Sequence, residues 1–591
     1  MTSLQTSSRF NILLIPEIID QIASSLTPPD LRKATLVSHE WNIFFTPHLW
    51  RTIDDSLYAW PRIFGINDPK YIYSPQTKEW AQRVISKNHR HIRHFSISSS
   101  ILIGAAADTL LQHNNNNNSN WNIKSFCFWE MKTLSTGSNE RALEKAVVLA
   151  QVSDILRFST NTLLSLTIGG SFLPNPDGEP NHSLFKTLRG LSNIVSFHCG
   201  QEFRFLLSEV SNNWPRLTTL TTSNFAHNED VLMTRPIPGL RSLVLRFPIT
   251  LQVVLHVLDN LPDLEFFKIS HIDDAKKGVP VQQTTPTIDL VPHLNLKCLN
   301  LGWCKYKEDN TYWTLFSVLP FLTALKTKDL GHDISQAIAT HCSQLEVLVD
   351  HKKPKVAYAA EILNELSALE PILQSCPNLR VLDALGHRLV VSVMSETPWA
   401  TTKLETLRCQ IRGLTRLDQV EEERYSRALN LFQKKGRKHN TRRAEIMQRY
   451  QVCLDDHTRL YAQLARQTQL RILELGFDHR VKDYRRASGY SDPVKDTPEL
   501  SLKSGLGLLW DLKELEVFGF EGFEHRIGTE ELDWMAENWP RLRMLRGLQK
   551  DTFHQIQFDE HKALLRKHLQ KLRPEVEHES LGAYDVYAFW Q

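Results

Sequence analysis

Three histidines crowd into His89-Arg90-His91-Ile92-Arg93-His94, and imidazoles so close together could hold a metal ion. No cysteine or acid stands at ligand spacing from them, so they read as surface side chains on and before a strand. No metal and no other cofactor is expected. A second cluster, Lys434-Lys435-Gly436-Arg437-Lys438-His439-Asn440-Thr441-Arg442-Arg443, could direct nuclear import or touch nucleic acid, or could be a solvated hairpin tip. No aromatic residues interleave with its charges to stack bases, which weakens the nucleic-acid version. The chain has no G-x-S-x-G elbow, no H-E-x-x-H and no P-loop, and Gly505-Leu506-Gly507 lacks the third glycine of a dinucleotide fingerprint. Catalytic residues are therefore assigned nowhere, and the chain is expected to bind rather than to catalyse.

The 591 residues exceed one ordinary core, and 41% hydrophobic with 23% charged residues is a globular profile. A small domain and a large or repetitive one are expected. Sixty-nine basic against 66 acidic residues leave a net charge of +3, too little for a global field that recruits nucleic acid or acidic lipid. The eight cysteines are dispersed without a C-x-x-C pair and read as reduced, buried thiols. The apolar run Ile12 to Ile15 is short, and nowhere do about eighteen apolar residues follow one another. The expected location is cytoplasmic, nuclear or both, with no membrane partner.

Between Phe10 and Ile53 the pattern gives three short helices. Pro16 and Glu17 suit a first helical turn, and Ile18, Ile19, Ile22 and Leu26 line one face. Thr27-Pro28-Pro29 breaks that helix, Asp30 can cap the next, and Leu31 and Ala34 continue its apolar side. Val37, Trp41, Phe44 and Phe45 supply a third helix, which Pro47 is expected to end before Leu49-Trp50. Three helices in some forty residues bury too little to be stable alone, so the surplus apolar surface asks for a partner. The segment resembles an F-box. Ile15-Pro16 matches that family's Leu-Pro opening, Asp30-Leu31 its Asp-Leu, Val37-Ser38-His39-Glu40-Trp41 its Val-Cys-x-x-Trp, and Leu49-Trp50 its Leu-Trp close. The resemblance implies docking on the Skp-type adaptor, and through it a cullin, by Ile15, Pro16, Ile18, Ile19, Ile22, Leu31, Val37, Trp41, Leu49 and Trp50.

From Ile92 onward an L-x-x-L-x-L phrase recurs, most clearly at Leu163-Leu166-Ile168, Leu240-Leu243-Leu245, Leu264-Phe267-Ile269, Leu296-Leu299-Leu301, Leu470-Leu473-Leu475 and Leu512-Leu515-Val517. Prolines in Trp214-Pro215, Leu261-Pro262, Cys376-Pro377 and Trp539-Pro540 stand just before several of these strands and halt a preceding helix. Alternation puts the first, fourth and sixth residues inward and the others outward. The phrase is similar to the irregular leucine-rich repeats that follow many F-boxes. The consensus Asn or Cys is largely absent, and polar or small residues take inner places at Thr222, Thr327, Asp350 and Gly547.

The expected fold class is α/β: an N-terminal three-helix F-box followed by an irregular leucine-rich-repeat solenoid (horseshoe) with inserted loops and a helical hairpin. The expected domains are the F-box at 10–53, a helical linker at 54–90, repeats at 91–550 with the hairpin at about 416–466, and a cap or tail at 551–591. Stretches 113–120, 170–183 and 273–288 read as polar loops. Ser242, Val244, Arg246, Phe266, Lys268, Cys298, Asn300, Glu474, Glu514 and Glu516 are expected on the concave face, where they would bind a client protein. The resemblance then implies a substrate-recognition subunit of an F-box/cullin–RING ubiquitin ligase. The alternatives are an adaptor-bound scaffold without a proteolytic role and a nuclear repeat protein associated with nucleic acid.

Overall fold

A computed structural model of the chain describes residues 15–55, 75–114, 121–129, 138–169, 182–200, 210, 212–223, 236–273, 291–305, 310–328, 330–350, 368–391, 394, 397–417, 420, 439–476, 497–521, 526–548 and 556–578. The basic residues 434–438, Glu421-Glu422-Glu423, the asparagine run 115–120 and most of the two expected polar loops lie outside these residues. The described chain divides into two compact units, the first running to Phe247 and including Gln252–Leu264, the second comprising Pro248–Leu251 and Glu265 onward.

Helices α1 (Pro16–Ser25), α2 (Pro28–Ala34) and α3 (His39–Leu49) open the first unit. Ile19, Ala23, Leu31, Ala34, Phe45 and Leu49 form their core, with Ile22, Leu26, Trp41, Phe44 and Trp50 packed against it. Thr27, not Asp30, is the N-cap residue of α2, and Asp30 sits in its first turn, accepting a 2.6 Å bond from the Thr27 hydroxyl. Ser38 caps α3 by accepting the Trp41 N–H at 3.1 Å. Pro47 does not stop that helix; it lies in the last turn, where one missing N–H interrupts little.

Strand β1 (Thr52–Asp54) follows α3 at once, with Thr52 opposite His94. The sheet thus starts inside the expected F-box span, because Trp50 already stands where each later repeat has its leading apolar residue. Next come α4 (Pro75–Asn88), β2 (His94–Ile97), α5 (Ser100–Asn114), β3 (Ser125–Phe128), α6 (Ser138–Phe158), β4 (Ser165–Ile168), α7 (His182–Arg189), β5 (Ser196–Cys199), β6 (Thr219–Thr222), β7 (Ser242–Ile249) and α8 (Leu251–Asn260). Helix α4 packs on α5, so the expected linker contains a helix of the repeat layer.

The second unit holds β8 (Phe266–Asp273), β9 (Cys298–Lys305), α9 (Asn310–Ser317), β10 (Ala324–Thr327), α10 (His332–His341), β11 (Val347–Asp350), α11 (Glu370–Ser375), β12 (Val381–Val390), β13 (Thr406–Arg412), α12 (His439–Ala465), β14 (Ile472–Glu474), β15 (Val517–Gly519), α13 (Thr529–Asn538), β16 (Met544–Arg546) and α14 (Ile556–Leu572). Within each unit consecutive strands pair in parallel, and the inward Leu220, Leu243, Leu299, Leu348 and Leu473 are fully buried. This is a leucine-rich-repeat fold.

One hydrogen-bond pattern fixes the register. The carbonyl after each leading residue accepts two N–H groups of the next repeat, as when Arg93 O takes Lys124 N and Ser125 N, or Arg471 O takes Glu516 N and Val517 N. Many leading N–H groups also close a turn on the carbonyl three residues earlier, Leu217 on Trp214 and Leu515 on Leu512 among them. Leu512 is therefore a turn residue, and the inward set is Leu515, Phe518 and Phe520 rather than Leu512, Leu515 and Val517, because Leu473 lies opposite Phe518. A shift of three, being odd, exchanges the two faces.

The same turn position replaces the missing asparagine ladder. Cys342 Sγ donates to Leu319 O, Cys376 Sγ to Cys342 O, and Gln467 Nε2 to Thr401 O, each reaching the equivalent carbonyl of the preceding repeat. The longer Trp214 and Trp539 indoles reach one helical turn farther, to Leu188 O at 2.9 Å and Leu509 O at 3.0 Å. Burial pushes the Cys376 thiol up to about 12, which keeps it protonated as a donor. At the inner place of Gly547, whose φ is +123°, the Phe520 ring fills the room a side chain would need.

The expected hairpin is only partly a projection. Its first arm falls outside the described residues, but the C-terminal half of α12 buries Leu460, Tyr461 and Leu464 and packs on the turn at Leu506–Asp511 as a repeat helix. Past β16, Leu565 and Leu569 of α14 are buried, and Glu577 N donates to Arg543 O while Leu545 N donates to Glu577 O. The last strand edge is thereby covered, which blunts edge-to-edge association.

Buried His457 holds α12 to the loop beyond β14. Its Nδ1 faces Cys453 O at 2.7 Å and its Nε2 accepts Glu499 N–H at 3.1 Å, a pattern only the neutral Nδ1–H ring satisfies. Burial holds its pKa below the usual imidazole range. A base with a lowered native pKa contributes stability that is full above its unfolded value, roughly 6.5, and lost as pH falls through the native one. Denaturant midpoints at pH 7.5 and pH 5.5 should converge more for the His457→Gln chain than for the wild type. An identical pH response in both would exclude this role.

Candidate docking faces

On the N-terminal helices the largest exposed apolar groups are Leu36 (78%), Val37 (63%), Ile43 (56%) and Ile15 (39%). Leu36 and Val37 occupy the tight turn after α2, held by Val37 N donating to Ala34 O and by Asn42 Nδ2 donating to Thr35 O at 2.9 Å. Ile43 follows Trp41 by two residues and so leaves the core face that Trp41 and Phe45 share. Of the residues expected to dock the adaptor, Ile15, Pro16 and Val37 are exposed, and Ile18, Ile22, Trp41 and Trp50 are half-buried. Ile19, Leu31 and Leu49 are core instead, so they shape the face without forming it. Leu36 and Ile43, outside the expected docking set, are exposed as well; for Leu36 the sequence signal is the capping Ser38 just after Leu36-Val37, since residues ahead of an N-cap leave the helix.

The strand face of the first unit is open. Thr52, His94, Ser125, Ser165, Ser196, Thr219 and Ser242 stand in one register row, nearly all hydroxyls, and every one is at least partly exposed. Trp129, 46% exposed, lies over Gly169, where a Cβ would come within 2.5 Å of the ring, and its centroid is 6.0 Å from that of His198. Burial, and then the nearby Arg246 cation, hold the His198 pKa below its usual range. Ser242 and Val244 are half-buried on this face and Arg246 is exposed, as expected of contact residues.

The second unit corrects the rest of the expected client surface. Phe266, Lys268 and Cys298 are half-buried, but Asn300, Glu474 and Glu516 are buried. Arg408 Nη1 meets Asp383 Oδ2 at 2.9 Å and Arg408 Nε meets Glu474, whose other oxygen takes Arg546. Glu474 and Arg546 are two strands apart and join over Gly519, at which a Cβ would stand 2.9 Å from Glu474 Cγ. Along the rim, Arg380 pairs with Glu405 at 2.7 Å and Arg471 with Glu516 at 2.6 Å. Glu514, in the turn before β15, pairs with Arg541. Glu474 and Glu516 thus neutralise cations of the fold and are buried, whereas Glu514 stays partly exposed in its pair.

Residues 16–56 match the F-box-like family model. The N-terminal helices are F-box-like. No curated protein matches the chain in sequence. Among solved structures the chain is similar to a leucine-rich-repeat protein of Leptospira interrogans, at 11% identity over 84% of this chain and 98% of that one, with a TM-score of 0.38. It is also similar to the yeast complex of Rad7 and Elc1, at 13% identity over 70% and 94%, TM-score 0.27. A third is a protein of Bacteroides fragilis, at 13% identity over 52% and 82%, TM-score 0.22. Among the described residues no helix is long and apolar enough to cross a membrane, and no three His, Cys, Asp or Glu side chains gather to hold a metal.

Proposed function

We propose that the chain is the substrate-recognition subunit of a cullin–RING ubiquitin ligase. The observation that carries this is an F-box-like segment that leaves Leu36, Val37 and Ile43 in water although its own core is filled. The helices dock a Skp-type adaptor and through it a cullin, and the repeats hold a client protein. The chain performs no chemistry of its own. It tethers the client, so that client lysines meet the charged ubiquitin carrier at high effective concentration. Its place of action is the cytoplasm, the nucleus or both.

Gel filtration tests this with purified full-length chain, a Skp-type adaptor and the cullin N-terminal domain. The three should co-elute, and a chain lacking residues 15–49 should elute alone. Failure of the full chain to retain the adaptor would refute the reading. Capture of proteins by the full chain without ubiquitin transfer in the reconstituted ligase would point instead to a scaffold.

A further inference from the structure

The open strand face of the first unit is cationic at one corner, and its cations are uncompensated among the described residues. Arg51, Arg93 and Lys124 occupy the same place in three successive repeats: Arg51 O accepts Arg93 N–H, and Arg93 O accepts Lys124 N–H. With strands about 4.8 Å apart, three like charges stand within about 10 Å. Like charges side by side on neighbouring strands are destabilising. In the second unit the corresponding row alternates in sign through Arg380, Glu405, Arg471 and Glu516. The row can therefore be neutralised within the protein, and at Arg51, Arg93 and Lys124 no described acid does so. Arg51 and Lys124 make no ion pair with a described residue, and Arg93 Nη1 turns to the carbonyls of Arg90 and Ile92. His94 sits among them, its pKa lowered first by burial and then by Arg51, Lys124 and Arg93. The one acid nearby on the strands of this face is Asp54, at the far end of β1.

Trp129 is the other outstanding feature of the face. It lies five residues beyond Lys124 on the same strand and turn, or about 16 Å, the reach of four to five residues of extended chain. Between them stand the hydroxyls of Ser125, Ser96, Ser165 and Thr167 beside the Cys127 thiol, neutral groups of which the hydroxyls can bond a peptide backbone.

We propose that this face holds an extended acidic segment of the client, with a carboxylate or phosphate at Arg51, Arg93 and Lys124 and an apolar side chain against Trp129. This rests on the receptor reading above and names what the receptor reads. Nucleic acid fits less well, because single strands are held by several aromatic platforms along a cationic track, and this face shows one exposed indole and a short triad among the described residues.

The test uses the full chain in complex with its adaptor and a displayed library of random peptides about twelve residues long, ample for the ~16 Å span. Selected sequences should carry an acid four to five residues from an apolar side chain. Synthetic copies with Glu, phosphoserine or Gln at the acidic place then separate the sources: tighter binding of the phosphoserine copy assigns phosphate, tighter binding of the Glu copy assigns carboxylate, and equal binding of the Gln copy overturns the proposal. Arg93→Glu with Lys124→Glu, and separately Trp129→Ala, should each weaken binding about tenfold or more. Gly169→Ala should weaken it by displacing the ring, and Lys124→Arg should preserve it. Selection without acidic enrichment, or a single-stranded oligonucleotide that binds more tightly through the same residues, would overturn it. Either result obtained with the adaptor still bound sinks this proposal alone, whereas loss of the adaptor from the wild-type chain sinks the receptor reading.

Discussion

Leu36→Asp, Val37→Asp and Ile43→Asp together are expected to abolish capture of a Skp-type adaptor while the repeats stay folded. All three side chains are more than half exposed, so the substitutions remove nothing from the core of Ile19, Ala23, Leu31, Ala34, Phe45 and Leu49. Surface changes of this kind usually alter stability by about 0.5 kcal/mol or less. An interface anchor typically contributes at least about 2 kcal/mol, and placing a carboxylate in a desolvated contact adds to the loss, so affinity should fall more than about a hundredfold. Leu31→Ala and Leu49→Ala are the informative contrast. They should destabilise the helical segment by about 2–5 kcal/mol through cavity formation and weaken capture only by loosening the face. Titration calorimetry beside thermal melting separates the two classes. Undiminished binding by the triple-aspartate chain would show that the exposed aliphatics are not the docking face.

The contrast between these two sets marks what the sequence could and could not convey. The order Ile15-Pro16, Asp30-Leu31, Trp41 and Leu49-Trp50 identified the three helices, because turn breakers and apolar spacing are local properties. It did not separate buried from exposed, since Leu31 inside α2 and Leu36 in the turn just after it are the same residue type five positions apart. The repeats were legible wherever the leading, fourth and sixth residues were all aliphatic. They were misread at Leu512, where two overlapping phrases fit the same letters and only the strand pairing of Leu473 with Phe518 decides. The client surface was the least legible part. Outward placement was correct for Glu474, yet Arg408 and Arg546 come from strands 66 residues before and 72 after it, and no local pattern announces that they will cover it. The sequence alternation gave direction, and the long-range ion pairs decided exposure.

That buried charge row also carries the largest expected effect on stability. Arg408→Met should destabilise the second unit by about 3–5 kcal/mol, because it removes the buried cation that Asp383 on one neighbouring strand and Glu474 on the other share. Arg546→Met should be milder, since Glu474 keeps Arg408. Gly519→Ala should approach the larger effect without removing a charge: its Cβ would stand 2.9 Å from Glu474 Cγ, and pushing that side chain aside breaks the bridge to Arg546 above the glycine. Replacing Asp383, Arg408, Glu474 and Arg546 together by leucine or methionine should cost far less than Arg408→Met alone, because a buried ion pair seldom outperforms packed apolar groups, whereas a broken one leaves an orphaned charge. Guanidinium unfolding followed by hydrogen exchange at β13–β15 reports all four chains, and exchange should rise first at Arg408 and Glu474. If Arg408→Met costs less than about 1 kcal/mol, water reaches the row and the face is open to clients after all.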